Sequence, residues 1–173
     1  MCAPAALGIW ALLLATGCPP AQRAESPVDL AAVGAVLDDW HQAAATADEA
    51  RYFGHFTKNA IFIGTDAGER WTVERFRAYA HPHFAKGTGW TYRPRDRHIN
   101  FGPAGQVAWI DEKLDNDKYG EARGTGIVVR VGSVWKLAHY TMSFPIPNAI
   151  TGRVVALIRG LATAGGETGS ETP

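Results

Sequence analysis

A chain of 173 residues, 46% of them apolar and 20% charged, amounts to one globular domain with room for a proper core. Seventeen basic residues cancel seventeen acidic ones. The nearest thing to a basic cluster, Arg93, Arg95 and Arg97, alternates along an extended segment as a solvated strand face would, so charge recommends no nucleic-acid partner.

Residues 1–18 lack any charged side chain and hold an apolar run from Leu7 to Ala15, too short to span a bilayer as a mature helix, so the stretch reads as an export signal. It ends in Leu14-Ala15-Thr16-Gly17-Cys18, which resembles a bacterial lipobox and makes Cys18 the expected lipidated N-terminus. Loss of Cys2 with the signal would then leave no thiol for a disulfide or for cysteine catalysis. The expected location is the bacterial cell envelope, with plain secretion or a periplasmic location as the alternative and the membrane touched only through the lipid anchor. Residues 19–27 form a tether rich in Pro, Ala and polar groups.

A domain is expected over 28–160. Ser26 and Pro27 open a helix in which Leu30, Val33, Val36, Leu37 and Trp40 recur at helical spacing. Asp48 can cap a second, short helix that ends near His55-Phe56, and Tyr52, Phe53 and Phe56 gather aromatic bulk there. Asn59 to Gly64 reads as a strand stopped by the turn Thr65-Asp66-Ala67-Gly68. Thr72 caps a helix with Val73, Phe76, Tyr79, Ala80 and Phe84 as its apolar stripe. His81-Pro82-His83 brings no third ligand, so no metal is expected. Trp90 to Phe101 is a long strand interrupted at Pro94. After the last strand, Asn148 can cap an amphipathic helix carrying Ile150, Val154, Leu157 and Ile158, and 161–173 is expected to be disordered.

From Gln106 to Phe144 three runs rich in Val, Ile, Trp, Tyr and Thr are separated by DNDK and VGS, the signature of an antiparallel meander. Opposing Trp135 to Val129 across a three-residue loop puts Trp135, Leu137, Ile127 and Val129 at one end of a face. Arg123, Thr125, His139 and Thr141 then lie at the other end, with Trp109 and Asp111 from the first strand. A face apolar at one end and polar at the other suggests a core opening into a pocket. A slip of one residue would exchange Asp111 for Glu112. The opposite, convex face would carry Ala108, Ile110, Leu114, Ala122, Gly124, Gly126, Val128, Ala138, Tyr140 and Met142. It is too apolar for open water, so a homodimer is expected through it, with the C-terminal helix as the competing cover.

The order of elements resembles the SnoaL-like branch of the nuclear transport factor 2-like, cystatin-like superfamily over roughly Val28 to Asn148. The resemblance is carried by Tyr52-Phe53, Phe62-Ile63-Gly64-Thr65, Glu69-Arg70-Trp71, Ala108 to Glu112, Arg123-Gly124-Thr125-Gly126, and Gly132-x-x-Trp135-Lys136-Leu137-x-His139. It implies an α+β fold in which a curved antiparallel sheet wraps around N-terminal helices as a cone with a pocket inside. Known members include ketosteroid isomerases, polyketide cyclases, dehydratases and epoxide hydrolases, beside domains that only bind or assemble, so the fold leaves function open. Many members carry a His two residues before the final Ser of the last strand, where this chain has Thr141.

Within such a pocket His139 could act as a base oriented by Asp111, while Arg123, Tyr52, Trp71, Trp90, Trp109, Thr125 and Thr141 would bind the ligand. Arg123 close to Asp111 would instead favour the carboxylate, making a structural ion pair or an anion clamp. Three functions follow: binding of a small, largely apolar molecule, a cofactor-free isomerase, lyase or cyclase on a carbonyl substrate, and a non-catalytic assembly module. None of them needs a cofactor. The lipid anchor is the part testable on the sequence alone: mass spectrometry of the mature protein should find an acylated Cys18, and an unmodified N-terminus at Ala21 or beyond would refute it.

Overall fold

The computed structural model describes residues 27–165; the expected signal, Cys18, the tether up to residue 26 and the last eight residues lie outside them, and Pro27, the tether's expected end, already belongs to the first helix. In chain order the elements are α1 (Pro27–Ala45), α2 (Glu49–Gly54), β1 (Phe56–Ile63), β2 (Arg70–Thr72), α3 (Val73–Phe84), β3 (Arg93–Phe101), β4 (Val107–Asn116), β5 (Gly120–Val131), β6 (Val134–Ser143) and α4 (Thr151–Gly165). The caps read from the sequence form: the Asp48 carboxylate accepts the Arg51 N–H at 3.0 Å, and the Thr72 hydroxyl accepts the Arg75 N–H at 3.3 Å. Pro82 lies inside α3, and His81 pairs through Nδ1 with Glu49 at 2.7 Å. Asn148 does not cap α4. It opens a short 3₁₀ turn, and the helix begins at Thr151 and runs beyond Leu161 to Gly165.

The six strands form one curved α+β sheet in the order β2-β1-β6-β5-β4-β3. It is mixed rather than wholly antiparallel, because β1 runs parallel to β6 while the other neighbours are antiparallel. The long stretch from β1 through β2 and α3 to β3 supplies the crossover that a parallel pair requires. Helix α1 packs on β3 and β6, α2 on α1, and α3 on β1 and β2.

Alternation along β4 and β5 settles which face the helices cover. Ala108, Ile110, Glu112 and Leu114 of β4 are buried, as are Ala122, Gly124, Gly126 and Val128 of β5. The face expected to be convex and dimer-forming is therefore the core face, already covered within the chain, and a homodimer cannot use it. The core is unusually aromatic where α1 and α2 meet it. The Trp40 ring stacks on Tyr52 at 5.2 Å between centroids and meets Tyr140 at 4.5 Å and Phe56 at 5.7 Å.

One close approach positions the segment between α3 and β3. A Cβ on Gly89 would stand 1.8 Å from the carbonyl oxygen of Ala44, so only glycine lets this segment pass the end of α1 and deliver Trp90 to the core. Gly89→Ala should cost about 1–3 kcal/mol, because the obstructing atom is backbone and cannot rotate away. Denaturant unfolding checks this, and a midpoint unchanged from wild type would show that the two segments do not meet so closely.

Candidate functional site

A cavity of about 340 Å³ opens between the ends of the strands and α3. Its floor is buried: Phe62 of β1, Phe76 of α3 and Met142 of β6, with the Phe62 and Phe76 rings stacked at 4.1 Å. Half-buried Trp71, Trp90 and Tyr92 form its walls. Its rim is aromatic and open, with Tyr79 51%, Tyr119 54% and Phe144 38% exposed. Gly64, Thr65 and Glu69 complete the lining. Glu69 is the one charged side chain among those lining residues; its Oε2 accepts the Asp66 N–H at 3.2 Å and lies over Gly64, where a Cβ would come within 2.1 Å of it. The Tyr79 and Tyr92 hydroxyls have no hydrogen-bond partner among the described residues, and burial raises the Tyr92 pKa.

A second polar cluster sits in the core and outside this lining. Glu112 is 1% exposed, and its Oε1 accepts from His41 Nε2 at 2.8 Å and from the Tyr140 hydroxyl at 2.7 Å. Its Oε2 accepts from Arg97 Nε at 2.7 Å; Arg97 also donates to the Gly34 carbonyl at 3.2 Å and to Asp38 at 2.7 Å. Burial pushes the Glu112 pKa up, but the bonds from His41, Arg97 and Tyr140 outweigh it and hold the carboxyl below its ordinary value. Burial first, and then the Glu112 charge, push the Tyr140 phenol well above its ordinary pKa, so it remains a donor. Gly124 makes room for this, since a Cβ there would stand 1.9 Å from the Tyr140 hydroxyl oxygen.

The residues expected in one pocket are thus divided. Trp71 and Trp90 do line the cavity. Tyr52 is 1% exposed and belongs to the core beside Trp40. Trp109, Asp111, Arg123, Thr125, His139 and Thr141 do share a face, as read from the sequence, but it is the outer one. There Trp109 and His139 flank Ile127, and Asp111 and Thr141 flank Thr125, across β4, β5 and β6. Asp111 faces solvent beside His98 at 3.2 Å, Arg123 is exposed, and His139 Nε2 meets the Thr141 hydroxyl at 2.9 Å. No Asp111–His139 pair and no Asp111–Arg123 pair forms.

Two local distortions explain the error. The β5–β6 turn has two residues, not three, with Gly132 at φ 62°, so Trp135 opposes Arg130 and Leu137 opposes Val128. A bulge then follows, after which His139 opposes Ile127. Trp135 and Leu137 face inward before it, and His139 and Thr141 face outward after it. Sequence reasoning also missed Tyr79, assigned there to a core stripe, and Tyr92, Tyr119 and Phe144. The available signal was large rings next to turns and strand ends, where the chain leaves the core.

A family model described as a SnoaL-like domain matches residues 33–147. Among solved structures, a nuclear transport factor 2-like protein of unknown function from Pseudomonas putida aligns at 14% identity over 71% of this chain and 91% of its own, with a TM-score of 0.60. One from Streptomyces avermitilis, proposed to be a dehydratase, aligns at 12% identity over 69% and 98%, with a TM-score of 0.59. Another from Shewanella frigidimarina, proposed to be a ketosteroid isomerase, aligns at 18% identity over 65% and 94%, with a TM-score of 0.53. At these identities the likeness concerns the fold alone. No curated protein sequence matches the chain.

Glu112→Ala should destabilise by roughly 3–5 kcal/mol, because it takes from His41, Tyr140 and the Arg97 Nε their shared acceptor in the core, although Arg97 keeps Asp38. Asp111→Asn and Arg123→Met, both on the outer face, should stay within about 0.5 kcal/mol of wild type. Thermal melts of the three variants separate the two faces. The stabilisation from Glu112 is complete above the ordinary carboxyl pKa of 4.5 and is lost as pH falls through the lower folded value. The gap in melting temperature between wild type and Glu112→Gln should therefore narrow only in acid below that point.

Proposed function

Because the chain belongs to the SnoaL-like domain family, whose fold hosts several chemistries, we propose on the geometry of its cavity that it binds a small, largely aromatic or apolar molecule. The observation that carries this reading is the open cavity of about 340 Å³ with rings on floor, walls and rim, within the size range of ligand sites. The chain's own side chains do not fill this space, which favours a ligand site over a purely structural module.

The same geometry supports binding over turnover. The cluster best suited to acid–base work, Glu112 with His41 and Tyr140, has its bonds satisfied in the core and lines none of this cavity. Proton abstraction next to a carbonyl would have to use Glu69, the carboxylate in the lining, and that keeps isomerisation or elimination as the second reading. The expected export signal and lipobox support an envelope location, with the tether holding this cavity close to the membrane surface.

Titration with a neutral bicyclic aromatic such as 2-naphthol should quench or shift tryptophan emission saturably, since Trp71 and Trp90 line the cavity. Trp71→Leu should weaken that binding about two- to tenfold, the worth of one aromatic contact of 0.5–1.5 kcal/mol. Trp109→Leu, on the outer face, should leave it unchanged. The opposite ranking of the two variants would move the site to the outer face.

A further inference from the structure

Resting on that reading of the cavity, we propose that its ligand carries a cationic nitrogen, a quaternary or alkylated ammonium group, held between the ring faces and the Glu69 carboxylate. Three observations lead there. The faces of aromatic rings carry negative potential, and Trp71, Tyr79, Trp90, Tyr92 and Tyr119 line the cavity, together with a Phe76 ring that is itself stacked on Phe62 and Trp71. The single charged side chain among the lining residues is an anion. Finally, Glu69 has spare capacity: Oε2 takes the Asp66 N–H, while Oε1 has no partner among the described residues.

The arrangement disfavours other ligand charges. An anion would meet Glu69 and the ring faces with no lining Lys, Arg or His to balance it. A neutral hydrocarbon would fill the space but offer the Glu69 Oε1 no partner as it displaced water from it. An ammonium group satisfies both, and its alkyl substituents tolerate the apolar floor of Phe62 and Met142. The rim already shows the contact within the chain, since Lys118 Nζ lies 4.7 Å from the centroid of the Tyr119 ring. That lysine is exposed and outside the lining, so a ligand can share or displace it.

Glu69 is held where this role needs it. The turn from Asp66 to Glu69 closes through the Glu69 N–H to the Asp66 carbonyl at 3.0 Å, and the Gly64 N–H donates to the Glu69 carbonyl at 2.9 Å. With the side chain resting on Gly64, a half-buried carboxylate in the loop between β1 and β2 is kept in the cavity lining.

The test compares benzyltrimethylammonium with its uncharged isostere neopentylbenzene and with anionic benzenesulfonate. Tryptophan emission of the full chain is read at equal low-salt conditions. The ammonium should bind at least about tenfold more tightly than the isostere, and benzenesulfonate should not bind measurably. Glu69→Gln should cut the ammonium preference several-fold while leaving the isostere's affinity unchanged. Tyr119→Leu, at an exposed rim position whose loss does not threaten the core, should weaken the ammonium more than the isostere. If the isostere binds as tightly as the ammonium, the charge inference is overturned while the cavity reading stands. If the preference survives Glu69→Gln undiminished, the assignment of the carboxylate is overturned. If neither probe binds and 2-naphthol is silent too, the cavity reading itself falls.

Discussion

The fold turns on one buried carboxylate. Glu112 sits in the middle of β4 with a donor from α1, one from β3 and one from β6, so a single side chain joins the first helix to three strands of the sheet. Removing that charge from water costs several kcal/mol, and the cost is offset only when all three donors arrive together. A one-residue shift of β4 or β3 breaks the Glu112–Arg97 ion pair in the core, and one of β6 withdraws the Tyr140 donor. Apolar burial tolerates small shifts; this constraint does not, which makes it the feature that selects one pairing of the strands.

Two bulges bring the donors into place. On β3 the pairing shifts between Arg95 and His98, with Asp96 at φ 47°, so that Arg97 turns inward although Arg93 and Arg95 point to solvent. The Asp96 carboxylate is in turn bound by Lys113 at 3.0 Å, which lowers its pKa and anchors the bulge to β4. On β6 the shift after Leu137 swings Tyr140 and Met142 inward beneath Gly126 and Gly124, where a side chain would collide with the Tyr140 ring. Glycine on β5 and tyrosine on β6 are thus one packing decision.

This explains what could be read in advance. The order of elements, the caps at Asp48 and Thr72, the apolar stripe of α1 and the meander are local, and local chemistry writes them plainly. The face of each strand is not local. Strict alternation carried through β6 put His139 and Thr141 inside with Leu137, and carried through β3 it left Arg97 as one of three surface arginines. A single unpaired residue reverses every side chain beyond it, and nothing in Leu137-Ala138-His139 or Arg95-Asp96-Arg97 announces one. The β4 alternative, Glu112 for Asp111, was visible as a one-residue slip, and the buried donors decide it. Of the cavity, Trp71 and Trp90 were legible because they flank a strand turn and a helix end. Tyr119 was not, because its contact with Phe144, at 5.5 Å, joins the β4–β5 turn to the end of β6.

Separating the two polar centres has a functional consequence. The buried Glu112 carboxylate is spent on holding the sheet, so the cavity is left with rings, a few hydroxyls and Glu69. On the proposed ligand reading, recognition would then come from shape, aromatic surface and one carboxylate. Such a surface discriminates by the charge and flatness of what enters more than by hydrogen-bond pattern, because rings offer area in every direction and polarity in few. Glu69 can also change at smaller cost to the fold than Glu112, since its loop is bounded by β1 and β2 and its carboxylate takes the Asp66 N–H but joins no core network. In this architecture the core keeps its register through Glu112, and the preference of the proposed ligand site could be retuned around Glu69 independently of it.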